Sequence, residues 1–194
     1  MRVRSCAVTA LSVAVAFLPR LAAAQTPAHP VAAAQQANPV ATAFRGNAAQ
    51  MAKNLTAAAD EMPADKYGFK PTPAQMSFGD IVVHLAQGND YLCGSISGTK
   101  APTRTKIAAT DAKAALVARL RETFQFCEQA LANVDDSKLG EELPFFGGRT
   151  MSRAGVMMVT VGDWADHYSQ QAIYLRLNGL LPPTAKKTST ASDQ

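Results

Sequence analysis

Apolar side chains recur every three or four residues through most of this chain, with polar ones between them. From Ala41 to Glu61 the sequence is Ala-rich and free of proline, Phe44, Met51 and Leu55 fall at helical spacing, and Pro63 follows the end. A second segment starts near Ser77, where Ser77 and Asp80 form a capping box with Asp in place of the usual Glu. Phe78, Ile81, Leu85 and Leu92 then make one apolar stripe, and Gly94 to Gly98 is expected to end it. The third segment runs from Thr110, read with Asp111 as an N-cap, to about Val134, with Ala115, Leu116, Leu120, Phe124, Cys127 and Leu131 on one side. The fourth begins at Thr150 or Ser152 and reaches Asn178, where Gly179 supplies a C′ glycine ahead of Pro182-Pro183.

No stretch alternates with period two over a useful length. Val82-Val83 and Val159-Thr160-Val161 are β-branched but sit inside longer helical patterns. The expected fold is therefore all-α, a four-helix bundle. Tyr67 to Pro73 reads as a turn-rich connector. Pro144 to Gly148 reads as a turn, although its paired glycines could also form an anion-binding nest.

Composition agrees with a folded core: of 194 residues, 47% are hydrophobic and 18% charged. Met1 to Arg4 is basic, Cys6 to Leu18 is apolar, and Ala22-Ala23-Ala24 precedes Gln25. That is the layout of a signal peptide over residues 1–24, which implies a periplasmic or secreted bacterial protein. Residues 25–40 read as a flexible Ala/Gln/Pro linker, 41–181 as the bundle and 182–194 as a disordered tail. The formal charge of +4 loses Arg2, Arg4 and Arg20 with the leader, leaving 16 basic residues against 15 acidic ones. A nearly neutral chain has no bulk attraction for nucleic acid, and no apolar run reaches the ~20 residues of a membrane span.

The candidate chemistry lies on the fourth helix. Val156, Thr160, Asp163, His167, Gln170 and Tyr174 share one face, and an inward Asp and His one turn apart are costly without partners. Such a pair can close on one metal ion, or it can be an i,i+4 ion pair on a solvated face. His84 lies inside the apolar run Ile81-Val82-Val83-His84-Leu85, either as a third ligand or as a core histidine bonded to a carbonyl. Gln170 and Tyr174 either line the site or pack against neighbouring helices.

Three stretches together bear a family likeness: Glu61 to Pro73 (EMPADKYGFKPTP), Ser77 to His84 (SFGDIVVH), and Asp166 to Gly179 (DHYSQQAIYLRLNG) followed by Pro182-Pro183. They resemble the DinB-like (DinB/YfiT) superfamily. The resemblance implies a four-helix bundle with a divalent metal bound by one His of the second helix and an H-x-x-x-H pair of the fourth. His84 matches the first of these ligands and His167 the last. The middle position is Asp163, where the family pattern has His. A carboxylate can ligate, and two His with one carboxylate suit zinc or iron; nickel is a further candidate, and loss of metal binding is the other outcome of the departure. The family includes proteins that resemble thiol-dependent S-transferases, so a metal-dependent transferase or hydrolase acting on a small-molecule substrate is one expectation. A non-catalytic helical module with a degenerate metal site is the other. A homodimer through an apolar face is compatible with both.

Cys93 and Cys127 are the two cysteines beyond the leader, and an exported chain favours a disulfide between them. Two separate buried thiols, or one thiol near the metal, are the alternatives. Trp164, Met157 and Met158 read as core packing.

Overall fold

The protein is described by a computed structural model covering residues 38–186. The predicted signal peptide, most of the linker and the last eight residues of the tail lie outside the described residues. Four helices dominate: α1 (Pro39–Glu61), α2 (Phe78–Ser97), α3 (Lys113–Leu131) and α4 (Arg153–Leu177). They form the expected four-helix bundle.

Helix directions follow from the side-chain contacts. The pairs Asn89–Thr123 and Cys93–Cys127 advance together along α2 and α3, which are therefore parallel. Tyr174 reaches Met76 while Trp164 reaches Asn89, so α2 and α4 are antiparallel. Phe44 stacks on Trp164 and Glu61 pairs with Lys186 just past α4, so α1 runs with α4. The order is up-down-down-up, and residues 98–112 form the long crossover that returns the chain to the start of the α2 direction.

The ends of the helices show where sequence reasoning held and where it stopped. The Ser77–Asp80 capping box is present, with Asp80 N–H donating to Ser77 Oγ at 3.1 Å and Ser77 N–H donating to Asp80 Oδ2 at 2.9 Å. The Ser77 hydroxyl and backbone hydrogen bonds hold the Asp80 carboxyl below its ordinary range. α2 continues through Gly94 and stops at Gly98, the far end of the expected Gly94–Gly98 stop, where φ is 73° and left-handed. A Cβ at Gly94 would stand 3.0 Å from the Thr99 carbonyl oxygen, so this glycine serves close packing of the departing loop. α3 starts at Lys113, three residues later than Thr110, because the Asp111 carboxylate turns back to accept from Ala108 N–H at 3.0 Å. It also ends three residues early, at Leu131.

α1 has no capping side chain of its own. Asp136, beyond α3, accepts from Val40 N–H at 3.0 Å and Ala41 N–H at 2.8 Å. A carboxylate at that position satisfies orphan donors and complements the positive end of the helix dipole.

The all-α bundle also carries one short hairpin, which the periodicity did not reveal. β1 (Glu142–Phe145) pairs antiparallel with β2 (Arg149–Ser152) around a turn in which Gly147 and Gly148 have φ of 69° and 72°. The alternation that buries Leu143 and Phe145 lasts only four residues and includes Pro144, which is why periodicity did not reveal it. The front of the predicted tail is likewise held in place: Tyr168 donates to Thr184 Oγ1 at 2.8 Å, and Lys186 pairs with Glu61.

The core is formed by Leu55, Phe78, Ile81, Leu85, Leu120 and Trp164, all fully buried. Cys93 and Cys127 form a disulfide between α2 and α3. Beside it, Asn89 ties three helices together: its Oδ1 accepts from Trp164 Nε1–H at 2.8 Å and its Nδ2 donates to Thr123 Oγ1 at 3.2 Å.

Candidate metal centre

The antiparallel packing of α2 against α4 brings His84 opposite Asp163 and His167. His84 Nε2 lies 3.1 Å from Asp163 Oδ1, and His167 Nε2 lies 3.4 Å from the same oxygen. The two imidazole rings are 4.5 Å apart, centre to centre, at 68°. One donor atom from each of the three residues falls within 4.8 Å of the others. Both rings thus turn their Nε2 atoms to one carboxylate, the arrangement of a donor set gathered around a common point.

Exposure is graded across the trio. The side chain of His84 is 46% exposed and that of His167 only 9%. The centre is therefore closed on the α4 side and open beside His84. Burial pushes the Asp163 carboxyl up, but hydrogen bonds from His167 and His84 outweigh it and hold the group far below the carboxylate range. The hydrogen bond to Asp163 and its negative charge raise His84, against the opposing effect of burial. Asp163 is thus firmly anionic. Its Oδ2 and the Nδ1 of His167 are buried without a protein partner among the described residues. An anionic oxygen and two imidazole nitrogens on one point match the donor preferences of first-row divalent metals, so the residues present fit such an ion.

Most of the predicted α4 stripe faces inward. Val156, Thr160, His167 and Tyr174 are buried, and Asp163 is intermediate. Gln170 and Tyr174 do not line the centre. The Gln170 amide donates to Asp166 Oδ2 at 2.8 Å, and Tyr174 donates to the Met76 carbonyl at 2.9 Å, fastening the connector before α2. Trp164 packs between Phe44 and Phe124, as expected. Gln171 was missed: it is fully buried one turn beyond His167, and neither polar atom of its amide has a protein partner. Its i+4 spacing from His167 was the available signal. Asn89 was missed too, since its partners lie on other helices. A groove of about 650 Å³ lies elsewhere, between α1 and α3, floored by Ala48, Ala49, Ala52 and Phe124.

The model of the DinB superfamily matches residues 48–170. The chain belongs to the DinB superfamily. Among solved structures, a DinB-like protein from Bacillus subtilis is 17% identical, with a TM-score of 0.59 over 75% of this chain and 99% of that one. A DinB-like protein from Bacillus cereus is 19% identical, with a TM-score of 0.61 over 72% of this chain and 93% of that one. At these identities the likeness is one of fold. No curated protein matches the chain in sequence. The matched stretch contains His84, Asp163 and His167, so the trio sits inside the family domain.

Proposed function

We propose that this DinB superfamily protein binds one divalent metal ion through His84, Asp163 and His167 and acts on a small molecule as a transferase or hydrolase. The observation that carries this reading is the convergence of the three donor atoms within 4.8 Å, drawn from two helices. Zinc, nickel and ferrous iron all accept two imidazoles and a carboxylate. A bound ion would supply Lewis-acid polarisation of a substrate oxygen, sulfur or water. The chain does the rest: His167 and Asp163 hold the inner side of the site dry, and half-exposed His84 leaves the outer side reachable. The Cys93–Cys127 disulfide supports an oxidising compartment and agrees with an exported protein.

A second reading has one observation in its favour. The groove between α1 and α3 holds none of the three residues, which suits a binding module whose metal site is a remnant. Metal content separates the two. We expect the protein, purified without a histidine tag, to carry close to one equivalent of metal, lost in both His84→Ala and His167→Ala. No metal after reconstitution with zinc, nickel, manganese and ferrous iron would overturn the first reading and leave the second.

A further inference from the structure

Beyond the trio, the helix face that carries His84 also carries exposed apolar groups. His84, Gly88 and Tyr91 follow one another at i, i+4 and i+7 on α2 and so share a face. Tyr91 stands about 10 Å along the helix from His84. Gly88, between them, has no side chain to fill the gap, and a Cβ there would come within 3.7 Å of Asp163 Oδ2. On α4, Val159 lies one turn before Asp163, and because α4 runs antiparallel to α2 this is the same direction along the bundle as from His84 to Tyr91. The far end of this face of α2 is aromatic: Tyr91 and Phe146 stack with centroids 4.1 Å apart at 27°.

These apolar groups are not covered. Tyr91 is 37% exposed, Phe146 50% and Val159 38%. The hairpin carries Phe146 to this position. Buried Phe145 anchors β1, 6.5 Å from Tyr91 and 4.9 Å from Phe146. The left-handed Gly147-Gly148 turn then reverses the chain immediately beyond Phe146. A stacked pair of exposed rings on the helix face that carries His84, with a side-chain-free glycine between, is the layout of a ligand site with a polar anchor and an apolar wall.

We propose that Tyr91 and Phe146, with Val159 of α4, form a subsite for a flat apolar or aromatic group of the same small molecule whose polar head is held at His84, Asp163 and His167. The ligand class is an amphipathic small molecule with a metal-ligating head and an aromatic tail about 10 Å away, the spacing of His84 and Tyr91 along α2. This inference rests on the metal reading of the trio.

The experiment uses the zinc-loaded protein and two hydroxamates. Acetohydroxamate reports the centre alone; 6-phenylhexanohydroxamate carries the same head and a tail long enough to reach from His84 to Tyr91. We expect the phenyl compound to bind about tenfold more tightly, the gain from burying one ring against an aromatic wall. That ratio should collapse towards one in Phe146→Ala and in Tyr91→Ala. Equal binding of the two probes by the parent, or an undiminished ratio in both variants, would overturn the subsite while leaving the centre standing. Absence of zinc uptake and of acetohydroxamate binding would overturn both. Sedimentation of the parent as a dimer that Phe146→Ala dissociates would also overturn it, by assigning the aromatic pair to a second copy of the chain.

Discussion

The staple between α2 and α3 allows a stability prediction with a magnitude. Cys93 and Cys127 are 34 residues apart. In the chain-entropy model, releasing a loop of that length frees the denatured chain by about 3.8 kcal/mol at 25 °C. Reduced wild-type protein is the cleanest perturbation, since it keeps both sulfur atoms in the core. The pair Cys93→Ala with Cys127→Ala adds the loss of two buried sulfurs, roughly 1 kcal/mol each. Urea unfolding of the oxidised, reduced and double-alanine forms, in excess chelator so that metal does not contribute, should give successive losses of that size. The denaturant slope should rise on reduction, because the uncrosslinked denatured chain exposes more surface. Cys93 and Cys127 are 0% and 1% exposed, so reduction of the native protein by a small thiol should proceed only through opening of the α2–α3 interface. A difference below about 1 kcal/mol between oxidised and reduced wild type would refute the reasoning, because it would mean that the denatured chain is already held near the crosslinked ensemble.

The remaining predictions concern the centre and its support. Asp163→Asn should weaken metal binding at least about tenfold in a competitive chelator titration, and Asp163→His should preserve or strengthen it; affinity unaltered in both variants together would remove Asp163 from the ligand set. In the metal-free protein, the raised pKa of His84 stabilises the fold fully below the ordinary value of 6.5, and that contribution fades as pH rises through the raised value. The lowered pKa of Asp163 stabilises above the ordinary value of 3.8 and is lost as pH falls towards its lowered one. Urea midpoints with chelator should therefore decline above neutrality and again in acid, with both trends diminished in Asp163→Asn. With saturating zinc the alkaline decline should reverse, since metal competes with protons for the imidazoles. Asn89→Ala should cost about 2–4 kcal/mol in urea unfolding, because it strands the buried Trp164 indole N–H and removes the bond to Thr123.

Local order was legible in the sequence because its causes are local. The spacing of Phe78, Ile81 and Leu85, the Ser77–Asp80 box and the position of Ser152 ahead of α4 act within one or two turns, and all appear in the structure. The four helices and their bundle followed from that periodicity; the likeness to DinB-like proteins rested instead on the three stretches Glu61 to Pro73, Ser77 to His84 and Asp166 to Gly179. What failed locally was the hairpin, too short to show a period, and the two ends of α3, where Asp111 turns back and Asp136 is drawn to another helix.

The sequence by itself determined which residues were available for chemistry: one histidine in an apolar run of α2, and an Asp and a His one turn apart on α4. Only the tertiary structure decided that they meet. His84 and Asp163 are 79 residues apart, and nothing in their neighbourhoods specifies the contact. It arises because the 98–112 crossover sets α3 parallel to α2 and leaves the other flank of α2 for α4, which runs antiparallel in the register fixed by Trp164 on Asn89 and Tyr174 on Met76. The hairpin likewise brings Phe146 to stack on Tyr91 of α2, 55 residues earlier in the chain. Helical periodicity is encoded over a few residues, whereas register between helices is set by the packing of the whole core. The site belongs to the second kind of information.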